Sequence, residues 1–276
     1  MKTVIYYFTG TGNTLAAARA LAEELGDVKL IPLRRAVNPG GIPVDADVLG
    51  IAFPVYFLNM PGIVQQFVES LRFTGNPYVF GLATCGKEPG GALFMLDKTL
   101  RARGSHLSAG FALVMPENYL GPVDLMEPEE TVAQKLAAVH SRIPAIAEAV
   151  RKRQVSIPEG SDSSVIGLGA GALRFLMTSV YRVPRWLHAT AKCTRCGLCE
   201  KICPARNIAI TADGVTFGDS CTQCYACIHW CPNEAIEIGG RTSGKHRYHH
   251  PEISVKDMFR VMDFVMVVPI SICHHR

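Results

Sequence analysis

Two runs of cysteine form the densest set of metal-binding side chains in the sequence. Each run has the spacing C-x2-C-x2-C-x3-C with a proline directly after it, and the second run repeats the first after 28 residues. Thiolate sulfur is a preferred ligand of zinc and of iron–sulfur clusters. Disulfide scaffolds are typical of short secreted chains, whereas this chain has 276 residues and no stretch typical of a signal peptide. The pattern therefore predicts metal centres in a reducing compartment, with the ligands Cys193, Cys196, Cys199, Cys203, Cys221, Cys224, Cys227 and Cys231.

This spacing resembles that of bacterial ferredoxins with two [4Fe–4S] clusters. In that family the fourth cysteine of each run ligates the cluster of the other run. The resemblance implies one cluster held by Cys193, Cys196, Cys199 and Cys231. It implies a second cluster held by Cys221, Cys224, Cys227 and Cys203. Zinc is the main alternative metal, but structural zinc sites usually combine two short pairs of ligands rather than two runs of four.

A turn rich in glycine and threonine, Thr9-Gly10-Thr11-Gly12-Asn13-Thr14, follows the first apolar run. A helix that starts after such a turn presents unpaired N–H groups and the positive end of its dipole to an anion. The turn lacks the lysine of nucleoside-triphosphate loops and the Gly-x-Gly-x-x-Gly spacing of dinucleotide-binding loops. It therefore predicts a monophosphate site made of hydroxyl and amide groups. The alternative is an ordinary turn in which Asn13 or Thr14 caps the helix.

Strands and helices that alternate along the chain must position this turn. Apolar runs predict five strands, and apolar residues at helical spacing predict four helices. The predicted strands are Thr3–Phe8, Val28–Leu33, Ala46–Phe53, Tyr78–Ala83 and Leu107–Met115, and the predicted helices are Leu15–Leu25, Pro61–Leu71, Ala92–Arg103 and Pro128–Lys152. Such an array is typical of an α/β fold with a doubly wound parallel sheet, which binds ligands beyond the carboxyl ends of its strands.

The segment from Tyr7 to Thr14 is similar to the phosphate signature of flavodoxins, which bind FMN. The resemblance implies a flavodoxin-like fold in which the second loop of the site (Phe53–Met60) places an aromatic ring on the isoalloxazine, with Tyr56 favoured over Phe57. It implies that the third loop of the site (Thr84–Gly91) approaches the pyrimidine edge through backbone amides. Both aromatic residues have the alternative of being ordinary core residues. The implied FMN contacts are Thr9, Gly10, Thr11, Gly12, Asn13, Thr14, Pro54, Tyr56, Phe57, Thr84 and Gly86.

The two signatures divide the chain into four predicted parts. A flavodoxin-like FMN domain is expected over 1–153, a basic apolar linker or bracing helix over 154–188, a small α+β two-cluster ferredoxin-type domain over 189–241, and a tail over 242–276. The order resembles the flavodoxin–ferredoxin fusion proteins of anaerobic bacteria.

The resemblance implies an electron-transfer protein that passes electrons between two [4Fe–4S] clusters and FMN, and to or from a redox partner protein. Two alternatives remain open, namely a flavin-dependent reductase of a small organic acceptor and an iron–sulfur redox sensor. A carrier is favoured over a stand-alone enzyme, and no catalytic side chain is assigned. The net charge of +4 is too small to indicate a nucleic-acid partner. We expect a cytoplasmic protein without a transmembrane segment, and the basic stretch 165–188 leaves open a weak contact with a membrane surface.

Overall fold

Five parallel strands form the central sheet of the amino-terminal part. The structure is a computed structural model that describes residues 1–33, 40–120, 125–160 and 183–262. The sheet has the order β2-β1-β4-β6-β7, and a separate parallel pair joins β3 to β5. The strands of this part are β1 (Thr3–Tyr7), β2 (Val28–Pro32), β3 (Ile42–Val44), β4 (Val48–Pro54), β5 (Leu71–Phe73), β6 (Tyr78–Cys85) and β7 (Ala109–Val114). Among the sheet strands this is the order 2-1-3-4-5 of flavodoxin-like folds.

Four helices cover the sheet in two layers. Helix α1 (Asn13–Leu25) packs against α4 (Glu129–Arg151), and α2 (Gly62–Ser70) packs against α3 (Ala92–Arg101). The predicted α/β architecture with a five-stranded parallel sheet is confirmed. The short strands β3 and β5 were not predicted, because three residues are too few to show a period in the sequence.

The centre of the sheet is the apolar core. All seven residues of β4 and all eight of β6 are buried, and the two strands pair in parallel from Val48 with Tyr78 to Pro54 with Thr84. Burial on both faces explains why these strands appear in the sequence as continuous apolar runs rather than as alternating ones. Gly50 allows the ring of Phe80 to lie directly over the sheet, because a Cβ at position 50 would be 2.5 Å from Phe80 Cζ.

The part of the chain after residue 186 consists of two similar halves. The first contains β8 (Leu187–Ala189), α5 (Leu198–Lys201) and β9 (Ile208–Thr211), and the second contains β10 (Gly214–Phe217), α6 (Ala226–His229) and β11 (Ile236–Ile238). Strand β8 pairs with β11, and β9 pairs with β10, both antiparallel. Backbone conformations with positive φ recur 28 residues apart, in the pairs Arg195 and Gln223, Gly197 and Tyr225, and Arg206 and Glu234. The repeat seen in the sequence is therefore also a repeat of backbone geometry.

The chain then returns to the first domain. Helix α7 (Val255–Met262) contacts β2, and the Arg19 guanidinium of α1 donates to Asp257 Oδ1 at 2.6 Å. Hydrogen bonds from the Ser254 side chain and from Arg19 hold the pKa of Asp257 well below its usual range. This stabilisation is present above the usual aspartate pKa and is lost as the pH falls. The predicted tail thus packs on the flavodoxin-like sheet domain.

The first residues of the predicted linker follow the edge of the sheet. Ser156 N–H donates to Ser108 O and Glu159 N–H donates to Gly110 O, both at 3.0 Å. Residues 161–182, which include most of the predicted bracing helix and of the basic stretch 165–188, lie outside the described residues. In the part of the chain that is described, no helix is both long and apolar enough to cross a membrane.

The contact between Gly50 and Phe80 leads to a prediction about stability. We expect Gly50→Ala to lower the free energy of unfolding by about 1–3 kcal/mol, because the new methyl group overpacks the core against Phe80 and Ile5. Urea unfolding followed by far-ultraviolet circular dichroism measures the change. Gly75→Ala is the matched control, since no atom lies within 4 Å of its added Cβ. Equal stability of the two variants would contradict the packing argument.

Candidate functional site

The predicted phosphate loop connects β1 to α1 and is buried. Gly12 is the residue before the helix and has φ 101°, and no side chain caps the helix. Because the first N–H groups of an α-helix have no partner within it, those of Asn13 and Thr14 are suited to an anion. The alternative in which Asn13 or Thr14 caps the helix is therefore wrong.

Hydroxyl groups of the phosphate loop contact two neighbouring loops. Thr14 Oγ1 and Thr84 Oγ1 lie 2.8 Å apart, so one hydroxyl donates to the other. Asn118 Nδ2, from the loop after β7, donates to Thr11 Oγ1 at 2.6 Å. Asn13 Nδ2 donates to Pro116 O in the same loop at 2.9 Å. The loop after β7 is thus part of the site, although the sequence marks Asn118 only by its position after the last strand.

A cleft of about 350 Å³ brings together nine of the eleven residues predicted to contact FMN. The loop after β7 supplies the opposite wall through Met115, Pro116, Glu117 and Asn118. Gly12 and Phe57 do not line this cleft. The predicted residues that line it are Thr9, Gly10, Thr11, Asn13, Thr14, Pro54, Tyr56, Thr84 and Gly86.

The second loop forms a tight turn that contains both of its aromatic residues, Tyr56 and Phe57. Tyr56 and Asn59 exchange backbone hydrogen bonds of 2.9 and 3.0 Å, and Phe57 and Leu58 between them have φ of 52° and 57°. This conformation is unusual for residues other than glycine and costs free energy. Tyr56 lines both the cleft and a groove of about 950 Å³ that also contains Cys221, whereas Phe57 lines the groove and not the cleft.

The third loop holds this turn in place. Gly91 N–H donates to Leu58 O at 2.8 Å. A Cβ on Gly90 would be 2.5 Å from the same oxygen, so only glycine allows this approach. The third loop therefore sets the position of Tyr56 through Leu58.

The contacts of Gly90 and Gly91 with Leu58, which we call the clamp, predict an effect on FMN binding. We expect Gly90→Ala to displace the second loop and weaken FMN binding at least about tenfold, because one lost contact of about 1.4 kcal/mol gives that factor. Flavin fluorescence during titration of the flavin-free protein measures the affinity. Gly104→Ala is the control, because Gly104 has a similar positive φ (77°) with no atom near its added Cβ. If both variants bound FMN like the parent protein, the clamp would have no role in the site.

The first set of cysteines surrounds a cavity of about 320 Å³. Its lining includes Cys193, Cys196, Cys199 and Cys231, the combination that the ferredoxin resemblance implies. Burial raises the pKa of Cys199 to about 11, and the charges of Cys231, Cys193 and Cys196 act in the same direction. We call these four residues the outer set, because Cys196 is exposed.

The second set combines Cys203 with Cys221, Cys224 and Cys227, and we call it the inner set. Burial raises the pKa of Cys224 to about 12, with Cys203 and Cys221 adding to the increase. Burial raises the pKa of Cys227 well above its usual value, and the charges of Cys224, Cys221, Cys203 and Cys199 add to the increase. The exchange of fourth cysteines between the two runs stays a prediction.

Backbone N–H groups donate to sulfur in both sets. Arg195 N–H donates to Cys193 Sγ at 3.4 Å and Gln223 N–H to Cys221 Sγ at 3.3 Å. The N–H groups of Asn207 and Ala235 donate to Cys203 Sγ and Cys231 Sγ, both at 3.2 Å. The donors form two equivalent pairs that are 28 residues apart, Arg195 with Gln223 and Asn207 with Ala235. Such donors stabilise thiolates, the form in which cysteine binds metals.

The arrangement of the sulfur atoms bears on which metal group fits. The nine cysteines in the described ranges are all free thiols. Within these ranges, no group of three or more His, Cys, Asp or Glu side chains is arranged to hold a metal ion. The four ligands of a [4Fe–4S] cluster bind four different iron atoms, so they surround a volume, as the outer set does.

The inner set lies against the phosphate loop. A Cβ on Gly10 would be 2.4 Å from Cys224 O, and Trp230 Nε1 donates to Gly10 O at 3.1 Å. The tail covers the other side, where His250 N–H donates to Thr11 O at 2.9 Å and the Tyr248 hydroxyl donates to Asn13 Oδ1 at 2.7 Å. The sequence offered no signal for these contacts.

His229 joins three parts of the chain at this junction. Its Nε2 lies 2.8 Å from Asn118 O, and its Nδ1 accepts a hydrogen bond from Tyr248 N–H at 3.0 Å. Burial lowers the pKa of His229 to about 4, so the ring is neutral at pH 7 with its hydrogen on Nε2. His229 is a buried packing residue.

Comparisons with known proteins give only distant structural similarity. No protein-family model and no curated protein sequence matches this chain. The flavodoxin of Streptococcus pneumoniae TIGR4 has 18% identity and a TM-score of 0.36, over 55% of this chain and 98% of that chain. The flavodoxin of Megasphaera elsdenii has 15% identity and a TM-score of 0.33, over 51% and 98%. These TM-scores are too low to carry an argument, so the flavodoxin-like fold rests on the strand order.

Proposed function

We propose that this chain is an electron-transfer protein that binds FMN in the cleft and one [4Fe–4S] cluster in each set of cysteines. The observation that supports it best is the position of the inner set directly against the phosphate loop, at Cys224 and Gly10. A redox partner protein would reach the outer set, where Cys196 is exposed. We further propose a cytoplasmic location.

The phosphate loop suits the phosphate of FMN. The first N–H groups of α1 point at this site, and the hydroxyls of Thr11 and Thr14 lie in the same cleft. These hydroxyls would exchange their bonds to Asn118 and Thr84 for bonds to phosphate oxygens. Tyr56 and Gly86 line the same cleft, where they would contact the isoalloxazine. FMN, when bound, exchanges one or two electrons.

The two sets of cysteines suit one-electron carriers. Backbone N–H groups stabilise the thiolates, and Ile208, Ile236 and Ile238 form an apolar cluster with Cys199 that excludes water. A cluster at the inner set would lie between the flavin cleft and the outer set. The chain would thus connect a two-electron carrier to a surface where single electrons are exchanged.

The first test measures composition. Protein purified without oxygen is expected to contain eight iron and eight sulfide per chain, from two four-iron clusters, and one FMN. Iron, acid-labile sulfide and flavin are measured on one sample, together with the rate of flavin reduction when a reduced ferredoxin is added. Bound zinc in place of iron, or a complete lack of flavin, would reject the proposal.

Exchange of the fourth cysteines predicts the effect of one substitution. Cys231→Ser is expected to remove the cluster of the outer set and with it about half of the iron. The other cluster is expected to remain, although its ligands Cys221, Cys224 and Cys227 are nearer to Cys231 in the sequence. Iron counting and electron paramagnetic resonance measure the loss. Cys85→Ser is the control, because Cys85 is a buried thiol of β6 outside both sets. Selective loss of the inner-set signal in Cys231→Ser would show that each run binds its own cluster.

The phosphate loop leads to a separate prediction about FMN. The double variant Thr11→Val and Thr14→Val removes two hydroxyls of the cleft, and each lost hydrogen bond to a charged group costs about 1.5–3 kcal/mol. We expect FMN affinity to fall at least about a hundredfold with unchanged iron content. Thr99→Val is the control, because its hydroxyl donates to Met95 O within α3. Full FMN content in the double variant would argue against this loop as the phosphate site.

A further inference from the structure

Tyr56 carries a buried hydroxyl oxygen that has no hydrogen-bond partner among the residues that the structure describes. Its ring packs edge-on against Phe8, with 6.2 Å between the ring centroids. Buried polar groups in proteins nearly always have a partner, and one without it requires an explanation. The sequence assigned this residue only a stacking role on the flavin, and stacking does not use the hydroxyl.

The hydroxyl lies at the junction between the phosphate loop and the inner set. It is 3.0 Å from the point where a Cβ on Gly10 would lie, and the Cβ of Cys224 is 3.2 Å from the same point. A tyrosine hydroxyl keeps its hydrogen at neutral pH, so Tyr56 presents a donor on the side of the phosphate loop where Cys224 packs.

We propose that the Tyr56 hydroxyl donates a hydrogen bond to sulfur of the inner set and raises the reduction potential of the cluster held there. This inference rests on the proposed function, since it requires that cluster. Hydrogen bonds to the sulfur atoms help to set the potentials of iron–sulfur clusters. A reduced cluster is more negative than an oxidised one, so a donor stabilises the reduced form more. Tyr56 is thus a positioning and tuning residue that contacts both redox sites.

The competing acceptor is an oxygen atom of FMN, because Tyr56 also lines the flavin cleft. The two acceptors predict different results when only the hydroxyl is removed. A bond to FMN would affect flavin affinity alone. A bond to sulfur would change the potential of one cluster and leave the other cluster unchanged.

The variant Tyr56→Phe removes the hydroxyl and retains the ring. Redox titration of the whole protein, followed by electron paramagnetic resonance, is expected to show one cluster step at lower potential. We expect the ratio of reduced to oxidised inner cluster at a fixed potential to fall about threefold to tenfold, which is about 28 to 59 mV for one electron. Pulsed measurements in deuterated buffer are expected to lose one exchangeable deuteron coupled to that cluster. The same substitution in the Cys231→Ser background assigns the shifted step to the inner set.

Tyr78→Phe is the matched control, because its hydroxyl donates to Gln154 O at 2.7 Å at the far end of β6. Two unchanged cluster potentials in Tyr56→Phe, with normal iron and FMN content, would overturn the inference and leave the proposed function intact. Weaker FMN binding with unchanged potentials would also overturn it and assign the hydroxyl to the flavin. Absence of clusters in the parent protein would reject the proposed function itself.

Discussion

The close approach of two backbone segments at Gly10 determines how the rest of the site is built. A Cβ at this position would lie 2.4 Å from Cys224 O, so the phosphate loop and the second cysteine run can meet only because residue 10 is glycine. Trp230 and His250 hold the contact by hydrogen bonds to carbonyl oxygens of the same loop. Because both segments belong to one chain, their encounter does not depend on concentration. A short distance between the two candidate redox sites is thus part of the fold.

This contact gives the two halves of the internal repeat different surroundings. Cys196 and Cys224 occupy equivalent positions 28 residues apart, with the same pattern of positive φ around them. Cys224 is buried against the sheet domain, whereas Cys196 is exposed. Equivalent cysteines of the two halves therefore have different neighbours: Cys224 belongs to the core of the sheet domain, and Cys196 faces solvent. The difference comes from packing and not from the ligand spacing.

The features that could be predicted from the sequence are those encoded locally. The apolar runs of β4 and β6 and the 28-residue repeat depend on residues close together in the chain, and the structure shows the buried strands and a repeat of backbone geometry. The ligand assignment of the cysteines stays a prediction. The contacts of Asn118, Trp230 and Tyr248 join residues more than a hundred positions apart. No periodicity marks such contacts, since they arise only when distant segments meet in the fold: the loop after β7 on the phosphate loop, and the second half and the tail on the first domain. The predicted domain boundaries remain predictions.

The turn at Phe57 and Leu58 shows why the assignment of the aromatic residues needed the structure. Sequence position alone made Tyr56 and Phe57 alternatives for one task, the stacking on a flavin. The structure instead gives them different positions: Tyr56 lines both the cleft and the groove beside Cys221, whereas Phe57, which has positive φ, lines the groove and not the cleft. Such a conformation is maintained only where neighbouring groups enforce it, here the N–H of Gly91 on Leu58 O and the close approach of Gly90. The strained turn thus lies where Tyr56 joins the flavin cleft to the surroundings of the inner set.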